Sequence, residues 1–531
     1  MEEKEYIKDE QIMMSFDTFT MRDLVPDDHL VIKLDRYVDW SFIYELCDPL
    51  YSDMGAQRID PVVLFKIVFI NILFDIHSIR ETCRQIEVNN AYRWFLGLGL
   101  FDKVPDHSTI SANYRRKFRD NDICSAIFLC VIEQLLENGV IDPSTVFVDG
   151  THIKANANKH RSHREVADEV AMAFQEELDR DIDADREKNG LKPLKREEEK
   201  EETGSQVKES EGEEEPTLFT VDSPDGNDTS EENKDTSDGA DLKESEETAP
   251  AEEREKPADT TDSSEEGEKE SEPEKQKYRT ASNTDPDSGF FHKGTHEQCF
   301  AYNANVACDK NGYVLGMSLD PGNVHDSRAF FHLKAKLDEI YGSGIEIYVA
   351  DAGYSTAPIC HMVHEGGQEI IVPYKRVAAK REGFYKKYQY RYDSENDCFT
   401  CPNGLVLRYC TTNREGKRVY RSDPDECESC PARDRCTESK NCTKVIERHI
   451  WEEDRETSIR LQKSEEGREI YSLRKETIER VFAEGKRRHG LGYTLYRGKK
   501  RVEDYTLLTF AMMNLKKMCL HLARQEQYAL N

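Results

Sequence analysis

Apolar residues recur at helical spacing through 40–48, 62–76, 78–96 and 121–138, and strand alternation is absent from residues 20–140. That pattern predicts a helical N-terminal region. Its most apolar run, VVLFKIVFINILFDI at 62–76, contains Lys66 and Asn71 and is shorter than the roughly 20 residues a bilayer crossing needs, so it reads as a buried helix. Asp106-His107-Ser108-Thr109 after Pro105 predicts a helix start, with Asp106 or Ser108 as cap. The helix that follows carries Arg115, Arg116, Lys117 and Arg119, either a solvated face or a contact to a nucleic-acid backbone. From residue 145 the periodicity changes. A short strand at 145–149 precedes an amphipathic helix near 164–187, and the patterning resumes near 290. Alternating strands near 299–308 and 313–319, joined around Asn311-Gly312, predict a hairpin. A helix at 326–341 leads to strands at 345–350 and 369–373. The chain then becomes rich in Cys, Tyr and charge until about residue 450. A helix bearing Glu479 follows, and an amphipathic helix at 503–523 offers Leu507, Leu508, Phe510, Ala511, Leu515, Met518 and Leu522 to a core. No internal repeat is evident. The order describes a mixed α/β sheet with two interruptions.

Composition changes this picture in one place. At 531 residues the chain should hold more than one domain, and its net charge is −31. Residues 197–278 carry 32 Asp/Glu against 9 Lys/Arg, so −23 of that charge lies there and only −8 on the remainder. An acidic protein of this kind can still present a basic face to nucleic acid. The acidic stretch nearly lacks large apolar residues and is expected to be disordered. It is either a solvated spacer or a nucleic-acid mimic that shields a basic site. The N-terminal MEEKEYIKDE is polar and acidic, which predicts no secretory signal. Fifteen cysteines in such a chain point to reduced thiols or a metal site. Isolated ones such as Cys83, Cys124 and Cys519 are expected in the core.

The candidate chemistry begins near the C-terminus, where Tyr471, Arg474, Glu479 and Lys486 lie in YSLRKETIERVFAEGKRRHG. Residues 474–501 hold ten Lys/Arg and three Glu. Basic side chains draw nucleic-acid phosphates through counterion release. A carboxylate among them repels phosphate unless a cation intervenes, so Glu479 reads as a metal ligand on a DNA-facing surface. Asp149 in TVFVDGTHIKANA and Asp351 in IEIYVADAGYST each end a β-branched and aromatic run. Function collects at such strand ends in open α/β sheets. Two Asp and one Glu are the hard oxygen ligands that Mg²⁺ prefers. Two such ions can activate an oxygen nucleophile and stabilise the leaving oxygen at phosphorus. Taken singly, either Asp could be a turn residue, and Glu479 could pair with Arg480 or Lys475. Lys486, seven residues on, shares a helix face with Glu479 and could hold a phosphate. His325 and Asp326 either line the site or shape a loop.

Seven segments stand in collinear order: VPDDHL (25–30), YRWFLGL (92–98), PDHST (105–109), DGTHIKANA (149–157), DPGNVHDS (320–327), ADAGYS (350–355) and the Tyr-Arg-Glu-Lys signature. In these the chain resembles bacterial insertion-sequence transposases of the DDE type, over nearly its whole length except the acidic stretch. The resemblance implies an α/β fold: a ribonuclease-H-like mixed-sheet catalytic core with an all-α N-terminal domain and a Cys-rich insert. The expected boundaries are 1–140 for the helical domain (end recognition or dimerisation), 141–190 and 286–375 for the core, and 191–285 for the disordered acidic insert. Residues 376–450 would form the Cys-rich insert, and 451–531 the catalytic Glu helix and the C-terminal helix. It further implies that Asp149, Asp351 and Glu479 hold two Mg²⁺ (or Mn²⁺) ions. The enzyme would cleave at insertion-sequence ends, free a 3′-hydroxyl and join it to target DNA, with positioning and charge stabilisation dominating as in phosphoryl transfer generally. Lys154, Arg474, Lys475, Lys486, Arg487, Arg488 and Arg497 would contact the DNA backbone. The gap between Arg474 and Glu479 is four residues, one longer than in many relatives. The implied partners are double-stranded DNA, as terminal inverted repeats and as target, and a second copy of the chain in a homodimer or higher oligomer. The implied setting is the bacterial cytoplasm, at the nucleoid, with no membrane association. The alternatives are a metal-dependent nuclease without strand transfer and a domesticated DNA-binding protein.

Residues 398–442 hold Cys398, Cys401, Cys410, Cys427, Cys430, Cys436 and Cys442. Two CxxC pairs, Cys398/Cys401 and Cys427/Cys430, have the spacing of thiolates that bind tetrahedral Zn²⁺. Spacing alone selects Cys398 with Cys401, Cys427 and Cys430. The resemblance favours Cys401, Cys427, Cys430 and Cys436. An iron–sulfur cluster would use the same ligand type, and free thiols are the remaining alternative.

Overall fold

The structure is a computed structural model that describes residues 20–51, 59–76, 78–159, 161–166, 175–194, 278–293, 297–374 and 382–529. The expectation of disorder in the acidic stretch falls on residues outside that set.

The N-terminal region is helical: α1 (Leu30–Tyr37), α2 (Phe42–Cys47), α3 (Pro61–Leu73), α4 (Ile79–Val88), α5 (Asn90–Phe95), α6 (His107–Asn113) and α7 (Ile123–Glu137). Helix α3 starts at Pro61, with the Asp60 carboxylate accepting from the Val62 amide at 2.8 Å, a proline-first, acid-capped start that removes one first-turn donor and satisfies another. Of its residues only Val63 is not buried. The two polar residues in it are partnered. Lys66 Nζ donates to the Phe95 carbonyl at 3.0 Å and lies 4.3 Å from that ring's centroid, and burial holds its pKa below the usual lysine range. Asn71 Nδ2 reaches Thr82 Oγ1 at 3.0 Å. The single helix expected over 78–96 is two, because Asn89 turns extended and caps α5 through the Ala91 and Tyr92 amides. Asp106 caps α6 by accepting from the Ser108 amide at 2.8 Å. In the basic segment beyond it, Lys117 covers the Tyr51 ring and Arg119 pairs with Asp120, leaving Arg115 and Arg116 exposed.

The central sheet uses β1 (Thr145–Lys154), β4 (Gly289–Lys293), β5 (Glu297–Cys308), β6 (Val314–Pro321), β7 (Ile347–Val349) and β8 (Glu369–Ile371). Antiparallel pairing joins β6 to β5 and β5 to β1, whereas β1, β7 and β8 run parallel. The β5–β6 turn is the expected one, with Gly312 at φ +74° and the Asp309 carboxylate accepting from the Asn311 and Tyr313 amides. Helix α9 (Asp326–Tyr341) follows β6, and α10 (Ala357–Glu365) links β7 to β8. Two expectations fail between β1 and β4. Residues 162–166 are not helical but form strand β2 (Ser162–Val166), and helix α8 begins only at Gln175 (Gln175–Lys188). Strand β3 (Tyr278–Ser282) lies ahead of the resumption expected near 286–290 and pairs antiparallel with β2. Ser162, His163, Arg164 and Glu165 are all polar or charged, so no apolar alternation marks β2.

The Cys-rich region builds a second, all-antiparallel sheet in the order β13-β12-β11-β10-β9. Its strands are β9 (Arg391–Asp393), β10 (Cys398–Thr400), β11 (Val406–Thr412), β12 (Lys417–Ser422) and β13 (Val445–His449), with the short helix α11 (Pro424–Glu428) between the last two. Tyr390, Phe399, Leu407, Tyr420 and Ile446 form a core of its own. Asp185 of α8 docks onto it, accepting from Arg418 Nε at 2.8 Å and Nη2 at 2.6 Å. Helices α12 (Glu452–Lys463), α13 (Glu465–Ser472), α14 (Ile478–Arg488) and α15 (Lys499–Ala529) complete the chain. Helix α15 packs against α7, α3, α1 and β6. Its buried Asn514 accepts from the Val314 amide at 2.9 Å and donates to the Val314 carbonyl at 2.8 Å, and its Asp504 receives the Tyr114 hydroxyl at 2.7 Å. So α15 ties the helical region to the sheet. No helix among the described residues is long and apolar enough to cross a membrane.

Candidate active site

Val146, Phe147 and Val148 are fully buried in β1, and the next residue is Asp149. Parallel pairing sets Phe147 opposite Val349. Two residues further along each strand, and therefore on the same face, come Asp149 and Asp351. Asp351 stands just past the end of β7, where its Oδ1 accepts from the Gly353 amide at 2.7 Å. Asp149 Oδ1 accepts from the Gly150 amide at 2.9 Å.

Arg474 links this pair to Glu479. Its Nη2 lies 2.6 Å from Asp149 Oδ2 and its Nη1 4.0 Å from Glu479 Oε1. The two residues are not on one helix. Arg474 belongs to a 3₁₀ turn at Leu473–Lys475, the backbone breaks at Thr477 (φ −104°, ψ −93°), and Glu479 lies in the first turn of α14. The Thr477 hydroxyl donates to the Leu473 and Arg474 carbonyls at 3.0 and 3.2 Å and closes the break. That break takes up the four-residue gap and lets the guanidinium turn back onto β1.

The electrostatics are those of a crowded, partly dry acid site. Burial raises the Asp149 carboxyl to about 6; Arg474 and the Gly150 N–H oppose the rise, and Asp351 and Asp326 add to it. Burial also raises the phenols of Tyr471 and Tyr354. Arg474, Asp351, Asp149 and Glu479 act on the first, and Asp326, Asp149 and Asp351 on the second, so both rings stand among the charged groups. The Tyr354 hydroxyl donates to Asn305 Oδ1 at 3.2 Å.

The basic residues divide. Lys486, Arg487 and Arg488 are exposed in the last turn of α14, Lys475 is exposed on the turn before it, and Lys154 is exposed at the end of β1. Backbone bonds from Lys154 to Gly492 and Thr494 tie β1 to the loop after α14. Arg497 is half-buried, and its Nε donates to the Asn156 carbonyl at 3.1 Å, so part of its hydrogen-bonding serves the fold.

In the Cys-rich sheet, Cys401, Cys427, Cys430 and Cys436 line one small pocket with Tyr385 and Asn403. Cys398 does not: it lies in β10, between Asp393 and Arg408. Asn403 Nδ2 donates to Cys430 Sγ, and the Tyr390 hydroxyl meets Cys436 Sγ, both at 3.1 Å. Burial pushes the Cys427 thiol up, Ser422 opposes this, and the other three cysteines add to it. All fifteen cysteines are free thiols. Among the described residues no three or more His, Cys, Asp or Glu side chains are arranged to hold a metal ion, at the acids or at the cysteines.

Sequence reasoning missed Asn303 and Asn305, fully buried on β5 opposite His152 and Gly150. Their signal was a polar residue at every second position of an otherwise apolar strand.

Residues 19–116 match the family described as Transposase domain (DUF772), and residues 400–519 match the family described as Transposase DDE domain. The second match takes in the cysteine pocket, Arg474 and Glu479 and stops short of Asp149 and Asp351. No curated protein and no solved structure matches the chain.

Proposed function

We propose that the chain is a transposase of the DDE type, as its matches to two transposase domains support, and that it cuts DNA at the ends of an insertion sequence and joins the freed 3′-hydroxyl to target DNA. The observation that carries this is the meeting of Asp149 and Asp351 at adjacent parallel strand ends, with Glu479 drawn to them through Arg474. The central sheet, in which β4, β6 and β1 pair antiparallel with β5 while β7 and β8 extend it parallel to β1, supports a ribonuclease-H-like core.

Three carboxylates give the hard oxygen donors that suit Mg²⁺ or Mn²⁺, and Asp149, Asp351 and Glu479 are the residues that would hold such ions. Bound there, a pair of divalent cations supplies an activated oxygen nucleophile and neutralises charge at phosphorus. The protein's own part is placement. Its exposed Lys154, Lys475, Lys486, Arg487 and Arg488 would hold DNA phosphates, with Arg497 bracing the loop between α14 and α15 against Asn156. In cleavage a water oxygen bonds to phosphorus and the 3′-oxygen leaves. In transfer that 3′-oxygen bonds to a target phosphorus and the target's own 3′-oxygen leaves. One phosphodiester replaces another, so transfer needs no external energy source. Two ends must be held together, which calls for at least two copies of the chain, working at the nucleoid.

In the insert, Cys401, Cys427, Cys430 and Cys436 are the soft, four-donor set that suits tetrahedral Zn²⁺. We assign them, in preference to a set containing Cys398, as ligands of a structural zinc that staples the small sheet.

The test is a duplex carrying the sequence that flanks the gene, incubated with Mg²⁺ or Ca²⁺ and with wild type or Asp351→Asn. Mg²⁺-dependent 3′-hydroxyl ends and joined products, absent from the variant, are expected. Cuts without joined products would reduce the activity to that of a nuclease, and binding without cuts would make the chain a DNA-binding descendant.

A further inference from the structure

Helix α9 begins at the edge of the acid site, beside a buried oxygen that has no partner. Asp326 occupies the first helical position after His325, whose Nδ1 accepts from the Ser327 amide at 3.2 Å. A first-turn acid is ordinary company for a helix dipole. What surrounds this one is not. Asn303 of β5 donates from Nδ2 to Asp326 Oδ1 at 2.7 Å. Asn303 is fully buried, yet its own Oδ1 has no hydrogen-bond partner. A buried amide oxygen left without a donor is costly, about 1–3 kcal/mol, and such a group calls for a partner, of which a bound ion is one kind.

Both oxygens converge on Gly150. A Cβ built on that glycine would lie 2.6 Å from Asp326 Oδ1 and 3.1 Å from Asn303 Oδ1. Any side chain at 150 would displace them, so the glycine admits two acceptors to the backbone directly beside Asp149. The charge of Asp326 reaches Asp149, and it also reaches Tyr354, on which Asp149 and Asp351 act as well. Arg474 is spent on Asp149 and Glu479. The guanidinium's ion pairs are with those two acids, and beside Gly150 a carboxylate and an amide oxygen share one corner. That is the donor set of a hard divalent cation.

We propose that Asp326 is a fourth acid of this centre, facing the divalent cation held by Asp149, with the Asn303 carbonyl oxygen beside it. The inference rests on the metal-dependent reading given above. It adds a residue that neither the Tyr-Arg-Glu-Lys signature nor the two strand-end aspartates supply.

The experiment is Mn²⁺ titration of the full chain by calorimetry, without DNA, for wild type, Asp326→Asn, Asp326→Glu and Asp351→Asn. Asp326→Asn keeps the Oδ1 acceptor for Asn303 and removes only the charge, so a purely structural role would leave Mn²⁺ binding untouched. The expected result is a loss of roughly tenfold or more in affinity for one Mn²⁺, with the metal-free melting temperature unchanged or raised. Should Asp326→Asn unfold, Asp326→Glu decides. Partial retention of Mn²⁺ binding in a folded Asp326→Glu supports the proposal, and wild-type binding by Asp326→Asn with loss in Asp351→Asn overturns it alone. Wild-type binding in both Asp326→Asn and Asp351→Asn would overturn the metal reading of the whole centre, and the role of Asp326 with it.

Discussion

Asp149→Asn should remove activity and, in the absence of metal, stabilise the protein increasingly as pH rises. Burial lifts the Asp149 carboxyl from its ordinary 3.8 to about 6 against the opposing pull of Arg474. Above that value the folded protein carries an ionised group that folding disfavours. At about 1.4 kcal/mol per pH unit, the penalty is about 3 kcal/mol at pH 7.5, falls to about 1 kcal/mol at pH 4.5, and vanishes below about pH 3.5, where the carboxyl is protonated in folded and unfolded chains alike. Asparagine has the same shape and no charge to lose. Asparagine also loses the attraction to Arg474, but the value of about 6 already includes that pull, so the difference follows the net penalty. The pH dependence of the difference therefore isolates the carboxyl. Calorimetric melting in EDTA should show the variant gaining about 2 kcal/mol on wild type between pH 4.5 and 7.5, or about 4 °C at the roughly 2 °C per kcal/mol of a large domain. Mn²⁺ at a hundred times its Kd should then stabilise wild type by about 2.7 kcal/mol and the variant far less, removing most of the gap. A difference between the two proteins that is the same at both pH values would refute a raised Asp149 carboxyl.

Arg474→Gln removes the cation that opposes the rise at Asp149, so the pH at which Mn²⁺ binding is half-developed should move up by about 1–3 units. Tighter Mn²⁺ binding at every pH would show instead that the guanidinium competes with metal. Gly150→Ala puts a methyl 2.6 Å from Asp326 Oδ1 and should lower stability by about 1–3 kcal/mol in urea unfolding; an unchanged midpoint would mean the two oxygens do not lie there. Cys436→Ser should take bound zinc from one per chain to none by elemental analysis while Cys398→Ser keeps it, and the reverse would restore the set chosen by spacing alone. Arg487→Ala and Arg488→Ala should each reduce the slope of log affinity against log salt by about 1 in DNA-binding titrations, and an unchanged slope would remove that helix end from the DNA face.

The fold was legible where local chemistry decides it. Helix 326–341 lies between His325, whose ring caps it, and Gly342 at φ +52°, and the Asn311-Gly312 turn announces the β5–β6 hairpin. Strand β2 was not legible, because its partner β3 lies beyond the acidic stretch and no local pattern reports a pairing at that distance. The second sheet was not legible either. Three-residue strands such as Arg391–Asp393 and Cys398–Thr400 are too short to display a period. Asp149 and Asp351 could be picked out because each ends an apolar strand, but that they stand side by side follows only from the parallel β1–β7 register. Asn303 and Asn305 alternate visibly, yet whether that face of β5 looked into solvent or into the site could not be read from the chain.

Arg474 shows why the signature and the strand ends belong together. Asp149, Asp351 and Asp326 act on one another through a partly dry interior, and an isolated cluster of that kind would resist folding in the ionised form that divalent cations require. The chain supplies one fixed positive charge, on a residue with only 12% of its side chain exposed, placed 2.6 Å from the most perturbed of the acids. The backbone break at Thr477 is what aims it there. Had Arg474 and Glu479 continued as one helix, a separation of five residues would have set the two side chains well over 100° apart around the axis, and they could not both have faced β1. The four-residue gap, odd as a helical spacing, is therefore consistent with the site once the turn is seen: it leaves room for a 3₁₀ turn to deliver the cation and for a new helix to deliver the carboxylate.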